Sequence, residues 1–222
     1  MLKKTLVTLV GAALMLSACV PSGKIESLGG AAETESEVET VEPGVDPVES
    51  EVESSEPRGF VFDSGFLEFG DFDPYALGDD LFNPCTEITL EEYAAAGFPG
   101  VDVTDEGRSF HGLNACPIPS TDDQRERAIS PTFDNGNTTR EMIEMQGLLL
   151  PQYTSELIPE LFAFAATNHD PSVCFTQIDT VRGGFGASAG GLEQQVTQGE
   201  MCELSIRIVE QLFLEFGTGD AR

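Results

Sequence analysis

Val173-Cys-Phe-Thr-Gln-Ile-Asp-Thr-Val181 runs into Arg182-Gly-Gly184 and then into Phe185-Gly-Ala-Ser-Ala189. The first segment is rich in β-branched and aromatic residues and reads as a strand. The glycine pair ends it, and the second segment can pair back across that turn. Just upstream, Leu161-Phe-Ala-Phe-Ala-Ala-Thr167 is also strand-like. Asn168-His-Asp-Pro171 joins it to Val173 as a turn signal. Three strands in a row, joined by short turns, predict an antiparallel sheet.

Other elements follow outward from this core. Phe60-Val-Phe62 and Phe66-Leu-Glu-Phe69 predict a hairpin around Asp63-Ser-Gly65, and 71–84 reads as a loop. Thr89-Leu-Glu-Glu92 is a capping box, with threonine at the cap and glutamate three residues later. It opens a helix through Ala96 that Gly97 stops. Residues 110–118 read as one strand, and 128–133 as another that ends in the turn Asp134-Asn-Gly136. Thr138-Thr-Arg-Glu141 is a second capping box, starting a helix toward Gln146. Thr197-Gln-Gly-Glu200 is a third, and behind it Ile208, Val209, Leu212, Phe213 and Phe216 fall at helical spacing until Gly217. Hairpins flanked by about three helices give an α+β class with an antiparallel sheet.

The chain divides sharply in composition. All 15 phenylalanines and all three tyrosines lie at or beyond Phe60. Residues 60–222 therefore form one expected domain, with 7 basic and 28 acidic residues. Residues 20–59 carry 11 acidic and two basic residues among Ser, Thr, Pro and Gly. Such a segment cannot bury enough apolar surface to offset its ordering entropy, so 19–59 reads as an extended tether. Its reach is roughly 35 Å as a coil and on the order of 130 Å fully stretched.

Ahead of the tether, Lys3 and Lys4 precede an apolar run to Leu16, the pattern of an export signal over residues 1–18. The run is too short for a spanning helix, which needs about 20 apolar residues. It ends in Leu16-Ser17-Ala18-Cys19, which resembles the lipobox of bacterial lipoproteins. That resemblance implies cleavage before Cys19, acylation of its thiol, and retention on the outer face of a cell membrane. Loss of residues 1–18 removes two lysines and leaves 9 basic against 39 acidic residues, a net charge of −30. So acidic a chain repels nucleic acid and anionic lipid, which excludes a nucleic-acid partner.

Four cysteines remain: Cys85, Cys116, Cys174 and Cys202. An even number in an exported chain reads as two disulfides, with three possible connectivities. Local pairing gives Cys85–Cys116 and Cys174–Cys202, each closing a loop of about 30 residues. Metal binding would need close spacing such as C-x-x-C, which is absent, so no metal and no cofactor are expected. These cysteines also sit in short motifs: Phe82-Asn-Pro-Cys85 followed by a helix ending Ala94-Ala-Ala-Gly97, then Ala115-Cys116-Pro117-Ile118, Val173-Cys174-Phe175-Thr176 and Gly199-Glu-Met-Cys202-Glu-Leu204. In these motifs the chain resembles the DUF3558 family of actinobacterial lipoproteins. Asn83 stands where that family has aspartate, and Ile118 where it often has tryptophan. The family has no defined function, so the resemblance implies location, disulfides and fold class and adds no reaction.

Several motifs invite a catalytic reading. Gly186-Ala-Ser188-Ala-Gly190 fits the nucleophile-elbow pattern. That fold needs a histidine after the serine, whereas His111 and His169 both precede it. Gly184-Phe-Gly186-Ala-Ser-Ala189 loosely fits a dinucleotide fingerprint, but no βαβ unit surrounds it. Asp71, Asp73, Asp79 and Asp80 are oxygen donors without the loop spacing of a calcium site. The many acidic residues supply carboxylate pairs by chance, so such pairs carry no weight. The apolar run Met142 to Leu150 reads as core, with a groove for an acyl chain or peptide as the alternative. No catalytic constellation emerges. The expectation is a lipoprotein of a Gram-positive-type envelope whose domain is a non-enzymatic binding or accessory module, for an envelope protein or lipid ligand. An envelope hydrolase and a purely structural surface protein are the alternatives.

Overall fold

The structure, a computed structural model, describes residues 57–104, 109–110 and 113–219, the pair 109–110 by backbone alone. The expected signal segment, Cys19, His111 and all but the last three tether residues lie outside the described residues. The described chain opens with β1 (Gly59–Phe62) and β2 (Gly65–Glu68). A 3-10 turn at Gly78–Asp80 leads to α1 (Pro84–Glu87) and α2 (Leu90–Ala95). Then come β3 (Ser109–Phe110), β4 (Leu113–Pro117), α3 (Asp122–Glu126), β5 (Ser130–Gly136) and α4 (Arg140–Met145). The chain ends with β6 (Leu149–Thr154), β7 (Phe162–Phe164), β8 (Val173–Thr180), β9 (Gly183–Gly190), α5 (Gln198–Phe216) and β10 (Gly217–Thr218).

The fold is α+β, with two antiparallel sheets. The larger runs β3-β4-β5-β9-β8-β7-β6, and the smaller β10-β1-β2. The hairpin of β8 and β9 lies at its centre, in unbroken register from Val173↔Gly190 to Thr180↔Gly183. Gly183 makes this turn with φ +95, which favours glycine.

Strand alternation decides which residues meet the helices. Cys174 of β8 is bonded to Cys202 of α5, so its face is the one α5 covers. Ile178, Phe185, Ala187, Ala189 and Phe133 share that near face and are buried. There Phe60, Phe82, Phe133 and Phe185 pack with Tyr93, Leu67, Ile158, Val209 and Leu212 in one core. Phe60 meets Phe185 and Phe213 edge-on at 5.4 and 5.7 Å. Each such side chain contributes roughly 1.5–3 kcal/mol on burial.

Two polar devices dock the smaller sheet. Glu92 Oε2 accepts from Thr89 N within its capping box, while Oε1 accepts from Asp63 N in the β1–β2 turn. Arg58 donates to both carboxylate oxygens of Glu160 at 2.9 and 3.0 Å and lies over the Phe213 ring. Arg58 and Gly59, placed by sequence at the end of the tether, thus belong to the folded body.

Four local expectations need correction. The strand read over 110–118 is two strands, β3 and β4, paired antiparallel with Phe110 opposite Leu113. Asp134-Asn-Gly136 is not a turn but the end of β5. Its backbone pairs with β9 throughout, and Asn135 turns inward to donate to Phe82 O and accept from Asn114 N. The cap of α4 is Thr139, not Thr138, because Thr139 Oγ1 accepts from Met142 N. That register puts methionine three residues past the cap, so no capping box forms. The strand read over 161–167 keeps strand pairing only at Phe162–Phe164. Two one-turn helices, α1 and α3, raise the count above the three expected. α1 is capped by Asn83 with Pro84 at its start, and α3 by a Thr121–Gln124 capping box. The apolar run 142–150 splits at Gly147, whose φ is +69. Ile143 and Leu148 are buried against Phe162, while Met145 is exposed.

Candidate functional site

Both disulfides join the expected pairs, Cys85–Cys116 and Cys174–Cys202, spanning 31 and 28 residues. The first ties α1 to β4 and the second ties β8 to α5. All four cysteines are buried. Two buried disulfides mark a domain that matures in an oxidising compartment. No helix among the described residues is long and apolar enough to cross a membrane.

The face of the large sheet away from α5 carries the remaining chemistry. Register sets two rows across it. One runs Pro117, Thr132, Ser188, Phe175, Phe164 and Leu149, from β4 to β6. Beside it run Ala115, Asp134, Gly186, Gln177 and Phe162. α4 closes the second row at its β7 end, with Ile143 packed on Phe162 and Arg140 over the ring at 5.3 Å. Thr132, Asp134, Ser188, Phe164 and Phe175 remain half-exposed.

At the centre of this face, β9 presents Gly184, Gly186, Ser188 and Gly190 in turn. Gly186 admits nothing larger, since a Cβ there would lie 1.8 Å from Thr176 O. Gln177 folds over Gly184 and donates to Thr138 O and to Asp179 Oδ1. Gly186 is itself buried, so the accessible part of this shallow trough is Ser188 and Gly190, with Thr132 on one bank and Phe175 on the other.

Ser188 Oγ lies 2.7 Å from Thr132 Oγ1, and Thr132 Oγ1 donates to Asp134 Oδ1 at 2.7 Å. Asp134 Oδ2 is out of reach of solvent and accepts no hydrogen bond among the described residues. Burial holds this carboxyl above its ordinary pKa, and hydrogen bonds from Ser188 and Thr132 pull the other way. Asp179 is raised as well, first by burial and then by the charge of Asp71, against hydrogen bonds from Arg140 N and Gln177.

The structure treats the sequence motifs unequally. Ser188 stands mid-strand in an antiparallel hairpin, not on a strand-to-helix elbow, and its bonded partners are a threonine and an aspartate. Gly184 and Gly186 open no helix, so the dinucleotide fingerprint has no structural counterpart. His169 sits in the β7–β8 turn with φ +54, beside Asp170, which accepts from Ser172 N and Oγ. That is turn chemistry. Asp73 Oδ1 accepts from Tyr75 N, and no three His, Cys, Asp or Glu side chains among the described residues could hold a metal ion together. Sequence reasoning missed Thr132, Asp134 and Phe175 as partners of Ser188. The available signal was alternation in β5 and β8, once their register to β9 is known.

A second concavity of about 180 Å³ lies between α3 and the start of α5. Arg127 and Arg207 line it, yet Arg127 is paired with Glu200 and Glu203 stands 3.8 Å from Arg207, leaving no free cationic centre. No family model matches the chain, and no curated protein or solved structure does.

Proposed function

We propose that this chain is a cell-envelope lipoprotein, held to the outer face of the membrane through acylated Cys19, and that its disulfide-bonded domain is a binding or accessory module. The lipobox-like Leu16-Ser17-Ala18-Cys19 supports the anchor. The resemblance to the DUF3558 lipoproteins supports the same location. The observation that carries the binding reading is the half-exposed patch of Thr132, Asp134, Ser188 and Phe175 around β9. It concentrates half-exposed hydroxyls, a carboxyl and an aromatic ring on a rigid sheet centre, which suits recognition of a ligand by a preformed surface. Nucleic acid is a poor partner for a domain of 7 basic and 28 acidic residues.

The envelope hydrolase is the competing reading, because Ser188 is hydrogen-bonded toward Asp134. A serine nucleophile needs a base that takes its proton at working pH. Here the carboxyl beside Ser188 already takes the Thr132 proton in a hydrogen bond, and it has no imidazole's capacity to carry a proton on to a leaving group. Intact mass of the protein from its native membrane is expected to start at Cys19 with added acyl chains, and to show thiols only after reduction. Treatment with a fluorophosphonate is expected to leave Ser188 unlabelled. An unacylated mass overturns the anchor, and stoichiometric labelling of Ser188 overturns the binding module.

A further inference from the structure

We propose that the ligand of the β9 trough is a neutral carbohydrate, one sugar ring lying over Ser188 with a C–H face against Phe175 and its hydroxyls on Ser188 and Thr132. This rests on the binding-module reading above.

Four features point to this class. The first is shape. On this face the central strand reaches solvent mainly at Ser188, whose side chain is a single hydroxyl, while half-exposed Phe175 stands opposite it on the next strand. A flat ring fits a shallow trough with an aromatic wall. Phe175 is itself braced by Phe164, stacked at 5.3 Å, so the wall is fixed before any ligand arrives.

The second is hydrogen-bond polarity. Thr132 spends its proton on Asp134 Oδ1, and the 2.7 Å contact joins its oxygen to Ser188. The row therefore offers acceptor lone pairs to a ligand that brings donors, and a sugar brings several hydroxyl groups. The third is Asp134. A buried carboxyl oxygen without a partner is costly and calls for an explanation. A ligand hydroxyl on Thr132 or Ser188 sits beside this carboxyl, whose Oδ2 is the acceptor of the row left without a donor among the described residues.

The fourth is charge. The one cation described near this face is Arg140, held over Phe162 under α4. An anionic ligand would find only Arg140, whose charge already acts on Asp179. A metal ion would find a single carboxylate, since Asp179 is taken by Arg140 N and Gln177. An uncharged ligand rich in hydroxyls is what remains.

The test uses the full mature chain in a phosphocholine detergent, with maltohexaose, mannohexaose and chitohexaose as neutral probes and hexagalacturonate as the acidic one. Saturation-transfer NMR is expected to show transfer to ring C–H protons of a neutral probe. Ser188→Ala is expected to weaken that binding about fivefold, the loss of one hydrogen bond. Phe175→Leu, which keeps apolar volume but removes the flat ring, is expected to weaken it about tenfold. Glu203→Gln, on the α5 side, is expected to leave it unchanged. Absence of binding by all three neutral probes, binding of hexagalacturonate alone, or equal binding by both trough variants with their disulfides intact overturns the carbohydrate assignment. Surface cross-linking from the same face then separates the two levels. An envelope protein captured there, and lost in Phe175→Leu, keeps the binding module and rejects the sugar. Capture that is indifferent to the trough rejects both.

Discussion

Asp134 shows how one side chain can couple function to pH. Its carboxyl is raised above the ordinary value, chiefly by burial. A carboxyl raised in the folded state loses stability as pH climbs through its folded pKa, and regains it as pH falls toward the unfolded value. Asp134→Asn keeps an acceptor for Thr132 and carries no charge. The variant is expected to be more resistant to urea than the parent at pH 7, and the advantage to shrink at pH 5. Urea midpoints of both proteins at the two pH values measure it directly. An advantage that grows on acidification would contradict the burial argument. The same scale explains Gly186, where an added Cβ meets the carbonyl of Thr176 and the backbones of β8 and β9 cannot separate to admit it. Glycine there serves close strand approach.

Elements differ in how much of their geometry is local. α2 and α5 begin where their capping boxes say, because cap and third residue satisfy each other's backbone donors without outside help. α4 had two adjacent threonines to choose from, and only Thr139 bonds forward to Met142 N. Thr139→Ala is expected to cost about 1 kcal/mol, and Thr138→Ala less than about 0.5 kcal/mol. Equal costs in chemical denaturation would contradict this assignment. β5 shows the opposite case. Asp134-Asn-Gly136 has turn chemistry by composition, yet the ladder to β9 and the buried amide of Asn135 hold it extended. A turn propensity worth a fraction of a kcal/mol yields to several backbone hydrogen bonds made at once.

At the scale of the whole molecule, covalent links and the aromatic core hold unlike layers together. The Cys174–Cys202 bridge pins the central hairpin to α5, and Cys85–Cys116 pins α1 to the sheet. The Cys174→Ala/Cys202→Ala double variant is expected to lose roughly 3–4 kcal/mol, the entropy of a loop that size. Calorimetry at matched pH is the measurement, and a loss below about 1 kcal/mol would mean that the core alone sets the α5 contact. By contrast, Arg58 and Glu160 are separated by 102 residues and form a clamp that only the closed fold creates.

The chain alone determined what depends on neighbours in sequence. The hairpin of β8 and β9, the boxes at Thr89 and Thr197, the α+β class and the local disulfide partners are legible because turn residues, caps and short loops act over a few to about thirty residues. Ser188 was legible as a residue of interest but not as part of a site. Its partners Thr132 and Asp134 are more than fifty residues away, and Phe175 joins them only through a register shared by three strands. Tertiary structure decided that placement, because strand alternation says which side chains share a face of one strand, while hydrogen-bonded register between strands says which of them touch.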